Sequence, residues 1–373
     1  MLVDRLIDSN PFDYDYLNDS LFVDCMKECI SNQISRSSFY RGLLKAKSFT
    51  KDIQSISSIE DLWDYRLFIS VYVLKEFVYE ADFLISDIEV EIFSSGTTQK
   101  PSRMVLDKIT LNRIKKIVFN VYQDYGLTDL ENEYNYLFFT YEDLSLGTAF
   151  SDVLLSELAP KMRDKFFALK KKGDSFFFDL EGVIKKLQEF QDSGLGLRIL
   201  GFPAYIYYTI QELQKRNLKF NFCGVVLPGG GWKTHKQEIS VTEFKKLVKE
   251  YLGINQVRDL YGMVEHGIPY VECEYDNKHI PRYSRVRTFN PLTRGFNSYE
   301  EIGLLSFMTP YASSYTISNV ISSDVGFISF GCRCGRKAPY IVLVGRAGTT
   351  KLKGCAISAL EFLKYHESLY QNR

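Results

Sequence analysis

Residues 195–231 read LGLRILGFPAYIYYTIQELQKRNLKFNFCGVVLPGGG. The apolar run from Leu195 to Leu200 stops at Gly201 and Pro203, which predicts a buried strand over 195–203. A helix is predicted from about 203 to 215, and KFNFCGVVLPGGG (219–231) predicts a second strand that enters three glycines. Downstream, VTEFKKLVKEYLG (241–253) is amphipathic, with Gly253 placed as a C-cap, and INQVRDLYG (254–262) predicts a third strand. Strand, helix, strand, helix, strand argues for a parallel sheet with crossover helices. Ligands in such sheets bind beyond the carboxyl ends of the strands. GFP (201–203), GGGWK (229–233) and YGMVE (261–265) all fall at such ends.

Upstream, Ile88 to Ile92 alternate like a strand, and FSSGTTQKPSRM (93–104) follows. That stretch is either a polar turn or a loop built to hold an anion. A helix is predicted over 110–125, a strand over 134–141 and two helices within 150–192; residues 1–80 read as mostly helical. Cys25 and Cys29 lie on an apolar helical stripe, as a metal half-site or as small core residues. After 285 the segments are short, extended and punctuated by Gly and Pro, which predicts a β-rich part.

The 373 residues are 45% apolar, enough for a large core. Lys plus Arg and Asp plus Glu balance at 46 each, so the sequence implies no general attraction to nucleic acid or anionic membrane. No run approaches the roughly 18 apolar residues of a membrane span. The acidic start, MLVDRLIDSNPFDYDYLNDS, lacks the basic-then-apolar pattern of a secretory signal. Seven cysteines in so long a chain do not make a disulfide scaffold. A reduced, cytoplasmic protein is expected.

Four segments in order carry a family resemblance. FSSGTTQKPSRM resembles the phosphate loop of the adenylate-forming enzymes and lacks the Walker pattern. DLYGMVEHG (259–267) resembles their Tyr-Gly-x-Thr-Glu motif, with Val264 in the Thr place. Ile321-Ser-Ser-Asp-Val-Gly326 resembles the segment whose Asp holds the ATP ribose, and VGRAGTTKLKG (344–354) resembles the Gly-Arg…Lys-x-x-Gly hinge. Within that superfamily, GGGWK with KGCAISALEFL (353–363) resembles the acyl-protein synthetase of bacterial bioluminescence, in which a C-terminal cysteine carries the fatty acyl group. CRCGR (332–336) and the EC…H segment (272–279) resemble the phenylacetate-CoA ligase branch.

The resemblance implies an α/β fold: a large adenylate-forming domain over 1–345, with a helical part (1–85), an α/β core (86–270) and a β-rich part (271–345). A hinge and short helical tail would occupy 346–373. Nineteen residues follow Gly354 (373 − 354), so the C-terminal lid domain of ordinary ligases is expected to be absent or vestigial, and its lysine without a counterpart. The implied chemistry is ATP-dependent activation of a carboxylic acid, most simply a fatty acid, to acyl-AMP. Transfer to Cys355 as a thioester would follow, and then to an acceptor protein such as an acyl reductase. A short CoA ligase or acyltransferase using a soluble thiol, and a catalytically degenerate scaffold, are the alternatives.

Residue by residue, Ser94, Ser95, Thr97, Thr98 and Lys100 would meet the phosphates, with Gly96 letting backbone N–H groups approach. Gly230 and Gly231 would line the adenine pocket, Tyr261 of the Tyr261-Gly262 pair would pack on the base, and Asp324, supported by Arg346, would accept the ribose hydroxyls. Glu265 would bind Mg²⁺ beside the phosphates. Lys233 would partly replace the lid lysine, and His266 would either border the acyl pocket or be structural. Cys355 precedes a predicted amphipathic helix, where the helix N-terminus with Lys351 and Lys353 would favour its thiolate. Cys273, His279, Cys332 and Cys334 make a Cys₃His set suited to a structural Zn²⁺.

Overall fold

A computed structural model describes residues 1–76, 88–94, 102–143, 161–173, 175–232, 239–314 and 318–347. Its organising element is a six-stranded sheet in the order Ser175–Phe178, Lys161–Lys172, Glu133–Tyr141, Gly196–Gly201, Gly224–Pro228 and Gln256–Val257. All neighbours run parallel except the first pair. The predicted helices appear as Pro203–Lys215, with Pro203 in its first turn, and Val241–Leu252, capped by Gly253 at φ 76°. Gly224 is required by packing: at φ 145°, a Cβ there would lie 1.9 Å from the Leu197 carbonyl oxygen.

Three segments differ from expectation. Two helices are expected within 150–192, but Lys161–Lys172 forms a strand. Met, Ala, Leu and Lys favour helix locally, but pairing with Glu133–Tyr141 on one side and Ser175–Phe178 on the other prevails and buries Ala168 and Leu169. A helix does follow, Leu180–Ser193, with Asp179 accepting from Gly182 N–H at its start. The second strand begins only at Gly224, because the N–H groups of Phe220 and Phe222 bond instead to Tyr251 and Leu252 at the end of a helix. The third splits: Gln256–Val257 stays in the parallel sheet, while Leu260–Tyr261 turns away to pair antiparallel with Tyr270–Val271. The Glu272 carboxylate accepts from Asp259 N–H at 3.0 Å at the break.

The β-rich part is a second sheet, ordered Lys278–His279, Tyr340–Arg346, Asn319–Ser329, Gly303–Met308, Arg285–Asn290 and Gly295–Phe296; Ile69–Ser70 adds parallel to Asn319–Ser329. The N-terminal helices pack against it in one shared core that includes Cys25; Cys29, one turn on, is also buried. No helix among the described residues is long and apolar enough to cross a membrane.

A buried ion cluster joins the helices to this sheet. Asp19 caps the helix Ser20–Arg36 and accepts from Arg282 Nε and Nη2, both at 2.8 Å, and from Arg285 Nη2 at 3.0 Å. Arg285 is fully buried, donates also to the Tyr16 carbonyl, and lies 4.2 Å from the Phe22 ring centroid. Burial alone would push the Asp19 carboxyl up, but the two guanidinium groups outweigh it and hold the group below its ordinary value. Removing one member strands buried charge, so Asp19→Ala is expected to cost about 3–5 kcal/mol in urea unfolding. Because the folded value is lowered, this contribution should be complete above the unfolded value of about 3.9 and fade as pH falls through the lower folded one. Equal stability loss in Asp19→Ala and wild type on acidification would contradict this.

Candidate active site and metal centre

At the carboxyl ends of the parallel strands the chain makes two turns side by side. Gly229 N–H bonds to the Gly201 carbonyl, and Gly229 bridges to Leu260. Gly230 and Gly231 then turn at φ 71° and 67°, in the left-handed region that favours glycine. This places the glycine turn beside the hairpin Leu260–Tyr261/Tyr270–Val271, whose tip carries Gly262, Glu265 and His266. Glu265 is 5% exposed and has no hydrogen bond or ion pair among the described residues. A carboxylate with open acceptor positions is a candidate for cation binding.

The pair expected to hold the ribose, Asp324 and Arg346, is brought together. Asp324 and Arg346 are register partners on adjacent antiparallel strands, and Arg346 Nε approaches Asp324 Oδ1 at 3.3 Å and Ser323 Oγ at 3.1 Å. Tyr261 donates its hydroxyl to Asp324 Oδ2 at 2.8 Å. Burial first, then the Asp324 charge, pushes the Tyr261 phenol well above its ordinary value, so it remains a donor. Ser94 marks the neck of the loop after its strand: its N–H bonds to the Ser102 carbonyl and its Oγ accepts from Ser102 N–H at 2.8 Å. Ser95, Gly96, Thr97, Thr98, Lys100, Lys233, Lys351 and Cys355 lie outside the described residues.

His266 is buried and neutral, with its value lowered to about 3 by burial. Its Nε2 lies 2.8 Å from Tyr270 Oη and 3.2 Å from Ser284 Oγ, so the structural alternative fits it. Tyr270 and Ser284 were not legible as partners, because nothing in their spacing links them to His266.

The four predicted zinc ligands converge: their ligand atoms all lie within 4.8 Å of one another. Cys273 sits in a tight turn, its N–H bonded to Asn277 C=O, and His279 is held in the strand pair with Tyr340. Cys332 and Cys334 come from the connection between Asn319–Ser329 and Tyr340–Arg346, flanked by Gly331 and Gly335 at φ 76° and 82°. Cys273 Sγ and Cys332 Sγ are 3.7 Å apart. That is too far for a disulfide and close to the ~3.8 Å edge of a tetrahedron with Zn–S of ~2.3 Å. His279 Nδ1 lies 2.7 Å from the Ala338 carbonyl, which fixes the proton there and leaves Nε2 free, 3.1 Å from Cys334 Sγ. Burial pushes the Cys273 thiol up to about 12. At Cys332 burial is outweighed by N–H donors from Cys334 and Asn277, which hold the thiol below its usual value. Two buried ligands, a fixed tautomer and N–H···S support fit a closed cation site.

The architecture is that of the adenylate-forming ligases. A 2-hydroxyisobutyryl-CoA ligase in complex with 2-HIB-AMP and CoA superposes with a TM-score of 0.68 at 14% identity, over 89% of this chain and 70% of its own. A long-chain-fatty-acid-CoA ligase from Archaeoglobus fulgidus gives 0.50 at 12% identity, over 70% and 52%. The chain belongs to the acyl-protein synthetase family, LuxE, whose model matches residues 1–363. Two relatives, each named long-chain-fatty-acid–luciferin-component ligase, align with it. That of Aliivibrio fischeri is 28% identical over 195 residues, 50% of each chain, so the match spans only half the relative. That of Vibrio harveyi is 23% identical over 309 residues, 80% of this chain and 78% of the relative.

If the Cys₃His set holds structural zinc, the purified protein should contain about one zinc per chain by elemental analysis. Cys332→Ser should lose it together with thermal stability. A metal-free preparation with unchanged unfolding and activity would refute the assignment.

Proposed function

We propose that the protein activates a long-chain fatty acid with ATP, loads the acyl group on Cys355, and passes it to an acceptor protein such as an acyl reductase. The observation that carries this is the meeting of Tyr261, Asp324 and Arg346, with Glu265, which has no partner among the described residues, four positions after Tyr261 in the same turn. The names of the two relatives support the fatty acid as substrate.

In the first half-reaction a carboxylate oxygen of the acid attacks the α-phosphorus of ATP and pyrophosphate leaves, giving acyl-AMP. Asp324 accepts from the ribose hydroxyls while Arg346 holds it in place, and Tyr261 and the Gly230-Gly231 turn bracket the adenine. Ser94, Ser95, Thr97, Thr98, Lys100 and the backbone at Gly96 line the phosphates. Glu265 would hold Mg²⁺, which supplies positive charge to the phosphate oxygens. Positioning and charge stabilisation account for the rate of such a transfer. In the second half-reaction the Cys355 thiolate, favoured by Lys351, attacks the acyl carbon, the acyl–phosphate C–O bond breaks, and AMP leaves. Lys233 stands in part for the lid lysine. The zinc set has no open position, so its role is structural: it clips the β-rich sheet to the segment just after the Glu265 hairpin.

Acid-dependent ATP–pyrophosphate exchange with a panel of fatty acids tests the first step. Thr97→Ala combined with Thr98→Ala should lower exchange at least about tenfold in a folded protein. Cys355→Ser should retain exchange but lose hydroxylamine-sensitive acyl label on the intact chain. No exchange with any acid would reject the reading; label on added CoA in place of Cys355 would assign a soluble thiol as acceptor.

A further inference from the structure

Glu265 occupies an awkward place: a residue only 5% exposed, with no partner among the described residues, at the tip of a hairpin two residues long on each strand. Hairpins this short do not hold a geometry on their own. The turn itself contributes two backbone bonds, from the N–H groups of His266 and Gly267 to the Met263 carbonyl. The residue next to Glu265, by contrast, is anchored from three directions. His266 Nε2 lies 2.8 Å from Tyr270 Oη and 3.2 Å from Ser284 Oγ, and those two hydroxyls are 2.7 Å apart, so the three atoms close a ring. The His266 carbonyl accepts from the Tyr311 hydroxyl at 2.8 Å. Ser284 directly precedes the strand Arg285–Asn290, and Tyr311 follows Gly303–Met308, so both anchors belong to the second sheet.

We infer that His266, Tyr270 and Ser284 are positioning residues of the nucleotide site, whose ring of hydrogen bonds fixes the backbone that presents Glu265 to a divalent cation. The inference rests on the reading of Glu265 as the cation-binding carboxylate. Their role runs through the neighbouring carboxylate rather than through a contact with substrate. A neutral imidazole suits this place, since an imidazolium beside a cation site would repel the ion. Tyr270 also pairs with Tyr261 in the hairpin register, so one element sets both the base-packing tyrosine and the carboxylate.

The test is a Mg²⁺ titration of the full chain, read both as hexadecanoate-dependent ATP–pyrophosphate exchange and, without acid, as ATP retained in equilibrium dialysis. Tyr270→Phe and Ser284→Ala, each removing one hydroxyl, should raise the half-saturating Mg²⁺ about tenfold, as expected when a ligand's support is lost. The KM for the fatty acid should stay unchanged, which a general loss of structure would not leave alone. In a Glu265→Gln background the same substitutions should add nothing, because their effect runs through that carboxylate. Folded variants with unchanged Mg²⁺ dependence, while Glu265→Gln itself raises the requirement, would overturn the positioning role alone. An unchanged Mg²⁺ requirement in Glu265→Gln, or no exchange by the wild type, would overturn the reading of Glu265 and the inference with it. If Tyr270→Phe fails to fold, Ser284→Ala and His266→Gln decide the matter by the same measurement.

Discussion

The contact between Asp19 and the two arginines Arg282 and Arg285 is the constraint on which the rest of the molecule is arranged. Its carboxylate is nearly out of water, one of its arginines is wholly so, and each has the partners needed to remain charged. Such a cluster adds little net stability over a well-packed apolar one, but it admits few alternative arrangements. It therefore fixes how the N-terminal helices seat on the second sheet, and it fixes the segment from His279 to Arg285.

That segment behaves as a spine. His279 belongs to the Cys₃His set, Arg282 and Arg285 grip Asp19, Tyr283 donates to the Ser9 carbonyl, and Ser284 reaches the His266 ring. Successive residues thus reach the Cys₃His set, the N-terminal segment and the Glu265 turn. Arg336 adds a further tie from the cysteine-bearing connection, pairing with Asp124 at the end of the helix Lys108–Asp124 and stacking its guanidinium over Tyr125. The hairpin that carries Glu265 gains from all of this a rigidity its own four paired residues could not supply.

Much of this was legible in the sequence where the signal is local. Pro203 starting a helix, Gly253 ending one, and the apolar run before Gly201 each act through the backbone of a few residues. The Cys₃His set could be read because ligand chemistry restricts the residue types, even with its halves far apart in the chain. The strand Lys161–Lys172 could not be read, because its residues favour helix and only its neighbours in the sheet make it extended. Asp19 and Ser284 were equally hidden: an acidic residue at a helix start and a serine beside an arginine are commonplace, and only the fold gives them partners. Val264, in the place where the family pattern has Thr, lies half-buried at the hairpin tip and packs against the main core.

The Asp19 contacts span 263 and 266 residues of sequence. At about 5–20 residues per second of synthesis, Asp19 leaves the ribosome on the order of 10–50 s before either arginine exists. Until then the helix it caps has no sheet to cover, and the side chains of Phe22, Val23 and Met26, buried in the finished protein, have only nascent chain around them. Pairings this distant also slow the search for the native topology. The N-terminal quarter is thus the first part made and among the last to be locked. A pause or premature stop anywhere before Arg285 leaves its apolar helices open to chaperones, proteases or one another.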